Sequence, residues 1–175
     1  GLSAMYPASH YSNEHSDIII RDDKLVIQSK QETQTGIWFG GFNPFATYSI
    51  DLNSCIGNGE IGFEFSDANK KEQFFIKIGF NNSILTGVKL KVIKNSEIIV
   101  DKSIAVNFDE ENNIKGKIIL QMLGSGLTLY MQDQGLSKVI GQSDFNKYID
   151  LRKKQYINSF QSNLYVHLMD GQVMV

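Results

Sequence analysis

The chain has 175 residues, 42% hydrophobic and 21% charged, which is the composition of one globular domain rather than of a disordered or fibrous protein. Its 17 basic and 19 acidic residues leave a net charge of −2, removing the electrostatic motive for nucleic-acid binding, and no apolar run approaches the roughly 18 residues needed to span a bilayer. A single cysteine, Cys55, excludes an internal disulfide and cannot by itself build a metal cage.

Residues 1–16, rich in Ser, Tyr, His and Asn, have no periodicity and read as an extended lead-in to one domain at 17–175. His10 and His15 in that stretch could hold a metal loosely, but a polar tail is the simpler reading; His167 stands far from both in sequence. The chain begins at Gly1 rather than Met, so the absence of an export signal carries no weight, and an extracellular or periplasmic compartment is the expectation.

From Asp17 onward the dominant signal is period two, the mark of strands with one buried face. Residues 17–21 and 24–29 form two apolar runs joined by Asp22-Asp23, a hairpin turn. The glycine-laden run 36–42 (GIWFGGF) is followed by 45–52, with Pro44 enforcing a break between them. Gly57-Asn58-Gly59 reads as a turn. Alternation is cleanest in the middle of the chain: Ile61, Phe63 and Phe65 against Glu60, Gly62 and Glu64; Phe74, Ile76, Ile78 and Phe80 against Gln73, Lys77 and Gly79; Val88, Leu90 and Val92 against Lys89 and Lys91. Such strands bury one face and wet the other, as antiparallel sheets do.

Further strands are expected at 98–100 after the turn Asn95-Ser96, then at 103–108, 115–123, 127–132, 137–141 and 163–169. Gly124-Ser125-Gly126 joins two of them. Phe145, Tyr148, Ile149, Arg152 and Tyr156 recur at helical spacing, so one short helix or helical turn is expected near 144–158. About a dozen short strands without a βαβ rhythm make an all-β, two-sheet antiparallel sandwich, with a lined barrel as the alternative.

Candidate sites are few. Trp38, flanked by Ile37 and Phe39 and followed by Gly40-Gly41, is the ligand-binding candidate: an exposed indole stacks on the C–H face of a sugar ring, and glycines let a ligand approach the backbone. The competing reading, favoured by the apolar neighbours, places it in the core. Glu60 and Glu64 share a strand face but lie about 13 Å apart in an extended strand, too far for the roughly 5 Å pair of a retaining glycosidase, and read as a solvated face. No nucleophile elbow, P-loop, H-E-x-x-H or C-x-x-C occurs, so no catalytic residue, metal site or cofactor is assigned. The acidic run 109–113 lacks the spacing of a dedicated calcium loop. Asn81-Asn82-Ser83 matches a glycosylation sequon, and the charge cluster Asp150-Leu151-Arg152-Lys153-Lys154 reads as a polar helix face anchored by Leu151, with a local Asp150–Arg152 pairing or the docking of an acidic partner as the alternatives.

The succession of strands over 48–169 resembles the concanavalin A-like lectin/glucanase superfamily, laminin-G-like jelly rolls included. The local echo is 115–132, where a strand, Gly-Ser-Gly and L-T-L-Y-M look like its paired strands. The resemblance implies a jelly-roll sandwich and a carbohydrate-related role, often in secreted proteins. Glucanases of that superfamily carry an E-[hydrophobic]-D-x-x-E-like strand; the nearest stretch here is Glu60-Ile61-Gly62-Phe63-Glu64, with Gly62 in place of the central Asp. The metal ligands of legume lectins are also absent. The expectation is therefore a non-catalytic carbohydrate-binding or lectin-like module whose partner is an oligosaccharide or polysaccharide. A protein-interaction or structural module is the alternative, and a divergent glycoside hydrolase the third reading.

Overall fold

A computed structural model describes residues 10–12 (backbone only), 17–107 and 113–175. His15, the side chain of His10 and residues 109–112 of the acidic run lie outside the described residues. Thirteen strands and one short helix make up the described chain: β1 (His10–Ser12), β2 (Asp17–Arg21), β3 (Lys24–Ser29), β4 (Thr33–Gly41), β5 (Thr47–Leu52), β6 (Ser54–Ser66), β7 (Gln73–Asn81), β8 (Ile84–Lys94), β9 (Glu97–Ile104), β10 (Gly116–Met122), β11 (Gly126–Asp133), β12 (Leu136–Asp144), α1 (Lys154–Ser159) and β13 (Gln161–Met174).

All pairings are antiparallel. The larger sheet runs β1-β4-β13-β6-β7-β8-β9, with the β2–β3 hairpin joined to the far end of β13; the smaller runs β12-β11-β10-β5. The architecture is the two-sheet sandwich expected of the period-two pattern. Two-residue turns set the hairpin registers. Asp22-Asp23, Asn82-Ser83, Asn95-Ser96 and Gln134-Gly135 all have φ between 45° and 79°, the left-handed pair that matches the right-handed twist of the flanking strands.

The core lies between the inner faces. The larger sheet contributes Ile61, Phe63, Phe65, Phe74, Ile76, Ile78, Leu90, Leu164 and Val166; the smaller contributes Ile50, Ile118, Leu120, Leu127 and Leu129. Phe65 sits among rings, 5.0 Å from Phe42 and 4.9 Å from Tyr48 between centroids. The helical spacing near the end of the chain has a packing origin. Phe145, Ile149, Leu151, Tyr156 and Phe160 are all buried, and Phe145 and Phe160 meet Phe74 and Phe42. Only Lys154–Ser159 is regular helix; the residues before it are turns, in which Arg152 Nε donates to Asp150 Oδ1 at 2.9 Å.

Two local expectations are corrected. Gly57-Asn58-Gly59 is not a turn but lies inside β6, where the register with β13 shifts between Leu168 and Asp170. Gly57, at φ 80°, absorbs the irregularity, because a side chain there would run into the Asp170 carbonyl. The break expected between strands at 98–100 and 103–108 is absent, since β9 runs unbroken to Ile104; residues 105–107 belong to no strand, and Phe108 lies outside the described residues.

Candidate functional site

Antiparallel register fixes what faces away from the core. Because Ile61, Phe63 and Phe65 point inward, Glu60, Gly62 and Glu64 point outward, and each is aligned with partners on both neighbouring strands. One outward row reads Gln34, His167, Glu60, Gly79, Gly87; the next Gly36, Tyr165, Gly62, Lys77, Lys89, Ser103; the third Trp38, Asn163, Glu64, Phe75, Lys91, Asp101.

The solvated face expected for Glu60 and Glu64 is not what forms. Glu64 is fully buried and Glu60 is partly buried. A buried carboxylate must be hydrogen-bonded. Glu64 accepts from Gln73 Nε2 at 2.7 Å and Asn163 Nδ2 at 3.2 Å, and it faces Lys70 Nζ at 3.4 Å. Lys70 also donates to the Ser66 hydroxyl at 2.9 Å. His167 is held at both ring nitrogens, Nδ1 3.1 Å from Glu60 Oε1 and Nε2 3.1 Å from Glu32 Oε1. Its hydrogen bond to Glu60 raises its pKa; burial opposes this and is outweighed. Burial would raise the Glu60 pKa, but the His167 hydrogen bond and the charges of Lys77, His167 and Lys89 leave it below the ordinary value.

Between these two networks lies a third group. Gly62 separates Tyr165 from Lys77 in register and carries no side chain, so both reach across β6. Lys77 Nζ sits 4.8 Å from the Phe75 ring centre and 5.0 Å from that of Tyr165, while the Phe75 and Tyr165 rings meet edge to face at 5.1 Å. Burial, then the neighbouring Lys91, lowers the Lys77 pKa. Burial raises that of Tyr165, whose hydroxyl is buried without a hydrogen-bond partner.

Trp38 is half-buried and outside the core cluster; it stands on the outward face beside Asn163, whereas Ile37 and Phe39 turn inward. Side chains added at Gly40 or Gly41 would meet open space. Next to Glu60 the outward face holds a cavity of about 270 Å³. Gly79 and Gly87 face each other across its floor, and Asn58, Thr86, Lys89 and Ser103 surround it. A larger hollow of about 510 Å³ lies further along β13, between Gln28–Gln31 and Asp170–Gln172, away from the buried charges. Among the described residues no group of three or more His, Cys, Asp or Glu is placed to hold a metal ion, and no helix is long and apolar enough to cross a membrane.

Sequence reasoning singled out Trp38 as a candidate and did not anticipate the cluster built on Glu64, Lys77, Tyr165 and His167. The available signal was aromatic: Phe75 and Tyr165 occupy outward positions, where a wet face would carry polar groups.

No family model matches the chain, and no curated protein matches it in sequence. Solved structures do match. The carbohydrate binding module CBM66 from Bacillus subtilis aligns with a TM-score of 0.59 at 16% identity, covering 94% of this chain and 91% of its own. Rv0315 of Mycobacterium tuberculosis, described as an immunostimulatory antigen and pseudo beta-1,3-glucanase, aligns at 0.55 and 11% identity, over 97% of this chain and 89% of its own. The laminarinase from Rhodothermus marinus aligns at 0.53 and 8% identity, over 97% and 88%. Identities this low speak to architecture, and on that they agree: the chain has the concanavalin A-like β-sandwich fold.

Proposed function

We propose that this domain is a non-catalytic carbohydrate-binding module and that the outward face of its larger sheet is the binding face. The observation that carries the reading is the position of Trp38: a half-exposed indole beside open space at Gly40 and Gly41, in the same row as the Asn163–Glu64 network. An indole there offers a stacking surface held by strands rather than by a mobile loop. The fold shared with a carbohydrate binding module and with glucanase-like proteins supports the reading.

The carboxylates favour binding over hydrolysis. Glu64 is buried and committed to Gln73, Asn163 and Lys70, and Glu60 is committed to His167. Gly62, where a glucanase strand would carry its central Asp, has no room for a side chain, because one would meet the Ile76 carbonyl.

Trp38 is the sole tryptophan, so its fluorescence reports the site alone. Titration with a panel of neutral and acidic oligosaccharides is expected to give a saturable spectral change with at least one of them. Trp38→Ala is expected to weaken binding about tenfold, the scale of one aromatic stacking contact of about 1.4 kcal/mol. Silence across the panel, in fluorescence and in calorimetry alike, would remove the reading.

A protein-binding role is favoured by one observation, the exposure of Ile98 and Ile99 on the edge strand β9. Under that reading Ile98→Lys abolishes binding of a co-purified partner and leaves saccharide titrations unchanged.

A further inference from the structure

On the outward face of β7 and β8, Lys77 lies directly opposite Lys89, and Lys91 lies one outward position further along β8, opposite Phe75. Like charges facing each other across a ladder destabilise it, and the chain as a whole is slightly acidic, so the cluster does not reflect a general excess of lysine. Two carboxylates are near. Glu60 is engaged by His167, and Asp101, opposite Lys91 on β9, forms no ion pair with it. Among the described residues none of the three ammonium groups forms a hydrogen bond or an ion pair. Lys77 is only 8% exposed, with two aromatic rings against its charge and no protein acceptor for its ammonium group among the described residues. The buried Tyr165 hydroxyl, on the same row, also lacks a partner. Beside them is the 270 Å³ cavity, with Lys89 at its wall, room for about nine waters and hence for one sugar ring.

We infer that this patch recognises an anionic saccharide, a sugar residue carrying a carboxylate or a sulfate ester, seated in the cavity with its charged group toward Lys89, Lys77 and Lys91. The inference rests on the carbohydrate-binding reading and names the class of ligand for it. An anion placed there neutralises the cross-strand repulsion between Lys77 and Lys89. The ring hydroxyls then meet Ser103 and Thr86, which donate or accept, the Asn58 amide, and the Glu60 carboxylate, which accepts. Gly87, above which nothing lies within 4 Å, leaves the backbone open to a ring, while the Thr86 hydroxyl covers Gly79.

The test titrates the intact domain with three probes of matched length: an oligogalacturonate, the same oligomer with its carboxyl groups reduced to alcohols, and a sulfated galactan oligomer. One or both anionic probes are expected to bind at least about tenfold tighter than the reduced one, and which of them does so identifies the anion. Raising the salt concentration should narrow the gap, because Lys89 is exposed and its field is screened. Lys89→Glu should abolish the preference, while Lys153→Glu, an equal charge change at an exposed residue outside this face, should leave it intact; both sites are exposed, so folding is preserved. Equal binding of the reduced and charged oligomers, unaffected by Lys89→Glu, overturns this inference and leaves the carbohydrate-binding reading standing. Failure of every saccharide, neutral ones included, overturns both.

Discussion

Lys77 and Tyr165 stand on strands that are not neighbours, yet the Lys77 ammonium lies 5.0 Å from the centre of the Tyr165 ring. The contact exists because the residue between them on β6 is Gly62. A missing side chain on one strand thus brings a buried cation and a phenol ring together across it, and it does so on the face that period-two reasoning assigns to water.

Gly62→Ala is therefore expected to be costly out of proportion to one methyl group. The added Cβ would collide with the Ile76 carbonyl, which belongs to the adjacent strand and cannot move without disturbing the ladder. A loss of about 2–3 kcal/mol is expected, as for other overpacked interiors. Urea denaturation measures it, and a change below about 0.5 kcal/mol would show that β6 has slack at this point.

Stability should depend on pH through His167. A histidine whose folded pKa is raised contributes stability that is fully present below its unfolded value, 6.5 here, and is lost as pH rises through the folded value. Glu60, with a lowered pKa, contributes stability that is present above 4.5 and is lost on acidification. The pair is strongest between those limits. Melting temperatures should fall from pH 6 to pH 8.5 in the parent, and His167→Gln should flatten that slope. An unchanged slope in the variant would mean that another group titrates.

Phe65→Ala should be among the most damaging core substitutions. The ring is fully buried and touches Phe42, Tyr48 and Phe74, linking both sheets and the segment that leads out of β4. Removal is expected to destabilise by about 3–5 kcal/mol. A calorimetric melt within a few degrees of the parent would contradict this packing.

Cys55 is free, fully buried and pushed by burial to a higher pKa, which disfavours the reactive thiolate. Ellman's reagent should label it only after denaturation, with a rate that tracks unfolding. Stoichiometric labelling of the native protein within minutes would place the thiol at the surface.

Fold class was legible because alternation is a one-dimensional shadow of burial. Ile61, Phe63 and Phe65 announce a face, and Asp22-Asp23 and Asn95-Ser96 announce turns, all from neighbouring residues alone. The polar cluster was not legible because its partners are far apart in the chain. Glu64 meets Asn163 across 99 residues and His167 meets Glu32 across 135, and only the register of β13 brings them together. Nothing local distinguishes a buried glutamate from a wet one at an even position. Trp38 was visible as a candidate, but its side of the sheet follows from pairing with Asn163, which sequence does not disclose.

Strand β13 is bordered by β3, β4 and β6, so the segment 161–174 forms the spine of the larger sheet although it follows all the other described strands in sequence. During synthesis β3, β4 and β6 precede it and must wait, each with the edge that β13 will cover unpaired. Assembly is thus expected to be slow, dominated by distant pairings. A nascent chain arrested before residue 161 should remain open to protease, however many strands it already contains.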